Sequence, residues 1–216
     1  MQELFPAEKK RFQVDRLILF SDAVFAIAIT LLIIEIKIPE MGGLPVDDQS
    51  FWQAFVPSIP KFIGFAMSFA LIGLYWSKHH QLFGFVTGYT PKLIFLNLFL
   101  LFAIVLMPYT TAVYSEFSDD KYASLLLPYL FYVTNISLCG LANYLLWDYI
   151  TKPASQVSSH VFRPQFVRNA KWRAMILPIV FILSFLVCWI FHSPLGRMIL
   201  FLIPFCFLLI KGEKKK

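Results

Sequence analysis

Long apolar runs separated by short polar connections leave this chain essentially one solvent in which to fold. Six segments, at residues 17–38, 55–76, 93–113, 125–149, 175–191 and 195–210, approach or reach the roughly 17–25 residues a helix needs to cross a bilayer. The last two are short, and His192-Ser193-Pro194 between them reads as a tight turn with proline placed to open a sixth helix. Charged residues are 15% of the 216 and hydrophobic ones 58%, against about 25% and 45–50% in soluble domains. A soluble fold leaves most of its perimeter facing water and cannot hide that much apolar surface. The expected fold class is therefore all-α. It is a multi-pass membrane protein with one domain over residues 1–216 and six transmembrane helices.

The connections carry the orientation. All but Lys37, Lys61, Lys121 and Arg197 of the 19 Lys and Arg residues fall on one side of such a six-span arrangement. Basic residues mark the cytoplasmic face, so both termini are expected in the cytoplasm. Trp52, Trp76, Trp147, Trp172 and Trp189 all fall at predicted span ends, as an interfacial belt requires. The net charge of +6 follows from this asymmetry. The basic residues lie in short clusters between apolar runs and form no basic helix, so no nucleic-acid partner is expected. The partner is the lipid bilayer, and the first apolar run shows no cleavage site for a signal peptidase. The one longer connection, residues 150–170, reads as a spacer, a docking strip or a surface helix.

Function in such a chain is best sought among polar groups that hydrocarbon excludes. Asp22 lies in the first span, where a carboxylate costs a few kcal/mol unless it faces protein or water. At 100° per residue Arg16 lies about 240° from it and is a poor partner. Candidate partners are His79 and His80, at the end of the second span, and Asn97 in the third. Such a group serves either as an interhelical lock or as a pH-sensitive, proton-carrying site. A metal site is less well supported, because His160 and His192 belong on opposite sides of the membrane. Cys139, Cys188 and Cys206 lie inside apolar runs with no ligand spacing. No cofactor is indicated. The same helix carries Ile27, Leu31 and Ile34 at i, i+4 and i+7, with Thr30 beside them and Phe20 one heptad earlier. This stripe stands on a different face from Asp22, but a lipid-facing or core face would look the same. No carbonyl-filter loop and no enzyme signature occurs.

The run R-x-x-x-F-S-D-A-V-x-A-I-x-x-T-L-L at residues 16–32 resembles the opening signature of the lysosomal potassium channel family, in particular its single-repeat branch from bacteria and archaea. W-x-x-H-H at 76–80 and N-L-x-x-L-F-x-x-V-L-M-P at 97–108 extend the resemblance. It implies a potassium-selective channel rather than an enzyme, a homotetramer in the plasma membrane with the first helix of each subunit lining the pore. Carried onto this chain, the constriction falls at Ile27, with further rings at Leu31 and Ile34 and with Thr30 contributing to selectivity. Arg16, Phe20, Ser21, Asp22, His79 and Asn97 would form the structural network that holds the pore helix, and the only bound ion would be permeating K⁺. Two other readings of the residues stay open: a proton channel or proton-coupled carrier using Asp22 and His79, and a membrane enzyme with a buried Asp/His site.

Overall fold

In a computed structural model the chain is a bundle of long helices, and helix is the only regular structure among the described residues. The structure describes residues 7–191 except 44, 119 and 123, together with 196, 197, 199 and 200. The helices are α1 (Ala7–Ile34), the short α2 (Asp48–Phe55), α3 (Ile59–Phe83), α4 (Pro91–Glu116), α5 (Leu127–Ile150) and α6 (Pro164–Phe191). At 1.5 Å per residue each of the five long ones spans roughly 36–42 Å, more than the ~30 Å hydrocarbon core of a bilayer.

Proline and side-chain caps set the boundaries. Thr90 caps α4 by accepting the Leu93 N–H at 3.1 Å, with Pro91 at the first position, where no helical hydrogen bond is lost. Asp47 caps α2 by accepting the Ser50 N–H at 2.7 Å, and that bond holds its carboxyl below the usual carboxylate range. Pro57 and Pro60 cannot continue an α-helical ladder, and residues 56–58 form a single 3₁₀ turn between α2 and α3. The second long helix is thus 59–83, where a span at 55–76 is expected. The first helix stops at Ile34, ahead of Glu35, Lys37 and Pro39, instead of running to 38.

The expected six transmembrane helices are corrected to five. Among the described residues five helices are long and apolar enough to cross a membrane. The segment expected as a fifth span, 175–191, is only the second half of α6. That helix begins at Pro164 and is a single run of 28 residues, long and apolar enough to cross. The segment expected as a sixth span, 195–210, lies for the most part outside the described residues. Its four described residues have 3₁₀ geometry, and the Arg197 guanidinium stands 5.4 Å from the Tyr114 and Tyr129 rings. The five described crossings set the start of α1 and the end of α6 on opposite faces, and the C-terminal residues expected in the cytoplasm lie outside the described residues.

Connection 150–170 is not a free spacer. Its second part is the start of α6, where Lys171 binds Asp148 of α5 at 2.6 Å. Its first part packs under the α3–α4 connection, where the Thr87 and Gly88 amides donate to the Val157 carbonyl at 2.9 and 3.1 Å. Phe85 meets both His160 and Phe162 there, with ring centroids 5.1 Å apart in each case.

Helix α4 packs against α1, α3 and α5, and α6 joins the bundle through α5. The closest approach of α5 and α6 uses Gly140. A Cβ on Gly140 would lie 2.1 Å from Cγ of Pro178 and 3.0 Å from the Ala174 carbonyl oxygen. Pro178 sits inside α6 and cannot bond the carbonyl four residues back, which is that of Ala174. The bare glycine backbone fills the space beside this break. Of the five tryptophans, Trp147 is buried against Phe166, while Trp52, Trp76, Trp172 and Trp189 are exposed as a membrane belt requires.

Candidate functional site

Helix α1 has two unlike faces. Val14, Ser21, Phe25, Ala28 and Leu32 are buried against α3 and α4. On the other side Ile27, Leu31 and Ile34 are 58%, 38% and 69% exposed. Phe20 and Arg16 stand within about 20° of Ile27 on a helical wheel and are exposed too. Ser21 lies about 120° away, on the packed side. The aliphatic stripe and the buried polar group therefore occupy separate faces, and nothing among the described residues covers the stripe.

On the packed side a directed chain of hydrogen bonds crosses three helices. The Ser21 hydroxyl donates to the Leu17 carbonyl at 2.8 Å, inside α1. The Asn97 amide nitrogen of α4 donates to Ser21 Oγ at 2.9 Å. That fixes Asn97 Oδ1 toward His79 of α3, whose Nε2 lies 2.8 Å away and so carries the donated proton. Ser21 and Asn97 have no exposed surface and His79 is 1% exposed. In hydrocarbon each such group needs a partner, and interhelical bonds of this kind contribute about 0.6 kcal/mol on average. The His79 ring lies between Phe83, 4.1 Å away and stacked, and Phe25 at 5.5 Å. Its Nδ1 is buried without a hydrogen-bond partner, and there the chain ends.

Asp22 is not in this chain. Its carboxylate accepts the indole N–H of Trp76 at 2.9 Å, toward the more open side of the α1–α3 contact. Arg16 also stands apart, with its guanidinium 5.9 Å over the Phe12 ring. His80 stacks on Trp76 at 5.7 Å rather than reaching Asp22. The structure thus brings together Ser21, Asn97 and His79, and separately Asp22 and Trp76, while Arg16 and Phe20 face outward. Trp76, Phe25 and Phe83 were not among the sequence candidates. The available signal was spacing: Phe83 follows His79 by four residues and Trp76 precedes it by three, on one helix face.

Thr30 stands beside the stripe and donates its hydroxyl to the Ile27 carbonyl at 2.9 Å. Its proton is committed to the helix, and its oxygen lone pairs face outward with the exposed side chain. Among the described residues no group of three or more His, Cys, Asp or Glu side chains is arranged to hold a metal.

Residues 16–108 match the family model described as endosomal/lysosomal potassium channel TMEM175. A potassium channel of Streptomyces collinus is 34% identical over 146 residues, 68% of this chain and 66% of that protein. The chain belongs to the TMEM175 family. A potassium channel of a Chryseobacterium species is 40% identical over 96 residues, 44% of this chain and 46% of its own length. The chain thus spans from just under half to just under two thirds of these relatives. The crystal structure of a lysosomal potassium-selective channel TMEM175 homolog from Chamaesiphon minutus covers 93% of this chain and 99% of its own, with a TM-score of 0.72 at 24% identity. That likeness is one of fold. The family match runs from Arg16 to Pro108, inside α4, so it includes most of α1, all of α3 and the whole Ser21–Asn97–His79 chain.

Proposed function

We propose that this chain is one subunit of a homotetrameric, potassium-permeable channel of the plasma membrane, a channel rather than an enzyme, with α1 lining its pore. One observation carries the reading: the Ile27–Leu31–Ile34 face of α1 is open while the opposite face is locked to α3 and α4. A helix whose aliphatic face is uncovered in one subunit closes a pore when copies meet around an axis. The potassium channels among the relatives, and the description of the matching family model, support K⁺ as the permeant ion.

The mechanism follows from the side chains. Ile27 residues converging on the axis form a dry neck that an ion enters only after losing part of its water. Leu31 and Ile34 extend the neck outward. Thr30 supplies hydroxyl oxygens beside Ile27 that replace some lost water ligands, which K⁺ gives up more readily than Na⁺. Ser21, Asn97 and His79 hold the rotation of α1 about its own axis, and Asp22 with Trp76 adds a second tie to α3. K⁺ is cargo here, and no resident cofactor is needed. The proton-carrier alternative has less support, because Asp22 and His79 belong to separate hydrogen-bonded groups and the chain through His79 stops at Nδ1.

Substituting Ile27→Asn tests the assignment. A polar ring at the neck is expected to raise resting K⁺ flux through liposomes severalfold by wetting it. Unchanged flux and selectivity would remove Ile27 from the pore.

A further inference from the structure

The basic end of the bundle holds a cavity that the pore reading does not use. It has a volume of about 100 Å³ and lies between α3, α5 and α6. That is room for several waters or for one small polar headgroup. Lys78 and Gln81 of α3 face Asn169 and Arg173 of α6 across it, while Asn143 and Trp147 of α5 contribute from the helix between. Lys78 and Arg173 are half-buried. Asn143 is 4% exposed, and its Oδ1 is buried without a hydrogen-bond partner.

Three features together define a ligand. Two cations on facing helices, with amides at Gln81 and Asn169, fit a phosphate better than they fit each other. An orphaned buried carbonyl oxygen at Asn143 calls for a hydroxyl or N–H donor beside that phosphate. Helices α3 and α6 have little direct packing and both meet α5, so the cavity lies in a crevice between two helices of a membrane bundle. Its deeper wall is apolar, with Leu74 and Leu177. Basic pockets between transmembrane helices are a recurrent way of holding anionic headgroups.

We propose that this cavity binds the phosphodiester of an anionic membrane lipid whose headgroup carries a hydroxyl, with Lys78 and Arg173 on the phosphate and Asn143 on the hydroxyl. The bound lipid bridges α3 to α6 where the helices themselves pack little. Lys78 precedes His79, so the lipid sits one residue along α3 from the hydrogen-bonded chain that fixes α1.

Native mass spectrometry of the purified full-length chain tests this, with phosphatidylglycerol, phosphatidylmethanol, phosphatidylcholine and soluble glycerol 3-phosphate as probes. Phosphatidylglycerol is expected to be retained at least tenfold over phosphatidylcholine. The pair Lys78→Gln with Arg173→Gln is expected to lose that preference. Lys78→Arg, which keeps the charge, and Arg163→Gln, which removes a charge from an exposed position outside the cavity, are expected to retain it. Asn143→Ala is expected to make phosphatidylglycerol and phosphatidylmethanol equivalent. Glycerol 3-phosphate displacing the lipid with the same dependence on Lys78 and Arg173 would support the site and make a free phosphate ester its occupant. Equal phosphatidylglycerol retention by the wild type and the double variant would overturn the proposal, as would an equal loss on Arg163→Gln.

Discussion

Trp76 donates its indole N–H to the Asp22 carboxylate at 2.9 Å, tying α1 to α3 one turn of α3 away from His79, which reaches α1 only through Asn97. A carboxylate in a membrane helix is thereby satisfied by a neutral donor rather than by a cation. Removing either partner is expected to loosen the α1–α3 contact more than it changes conduction. Asp22→Ala and Trp76→Phe are each expected to lower thermal stability and oligomer yield, by about 1 kcal/mol per lost bond. Asp22→Asn, which keeps an acceptor oxygen, is expected to lose less. Size-exclusion profiles and melting curves read this. Normal assembly with abolished flux in Asp22→Ala would instead put the carboxylate in the ion path.

Asn97 is bonded on both sides, so its loss strands two buried groups at once. Asn97→Ala is expected to cost about 1–3 kcal/mol. A double-mutant cycle with Ser21→Ala is expected to show coupling of about 0.5–1.5 kcal/mol, because both variants break the same bond. Additive effects would mean that the 2.9 Å contact between them contributes nothing.

Gly140→Ala tests the packing of α5 on α6. The added methyl meets the Pro178 ring and the Ala174 carbonyl, neither of which can swing aside as a flexible side chain can. A loss of about 1–3 kcal/mol is expected, the usual range for overpacking. The melting temperature checks it, with Gly73→Ala, where an added methyl meets nothing within 4 Å, as the control.

Thr30→Val separates selectivity from stability. The hydroxyl bonds only its own helix and the side chain is exposed, so stability is expected to stay within about 0.5 kcal/mol. The K⁺/Na⁺ flux ratio is expected to fall, as paired ion-flux assays would record. An unchanged ratio would take the Thr30 oxygen out of ion coordination.

The membrane class was legible from apolar length alone, because no soluble packing accommodates such runs. Asn97 and His79 were legible as polar residues in apolar surroundings, and Ser21 through the family resemblance, though their order of bonding was not, since helical periodicity fixes a face and not a partner. The pairing of Asp22 with Trp76 escaped for that reason: tryptophan at a span end reads first as a belt residue. The fifth helix starts earlier than its apolar run because hydropathy marks where a helix meets lipid and not where it starts. Pro164 and the polar first turns of α6 lie outside the apolar window although they continue the same helix. The aliphatic stripe on α1 was visible in sequence but ambiguous, and only the burial of the opposite face distinguishes it from a core stripe.

Flux of K⁺ against Na⁺ through the purified protein in liposomes, with and without a proton ionophore, bears most directly on the channel reading. Ionophore-assisted K⁺ flux well above Na⁺ flux is the expected result, since it requires a selective conductive path and a separate route for the compensating charge. Proton flux in the absence of K⁺ flux, or no flux of either ion, would contradict it.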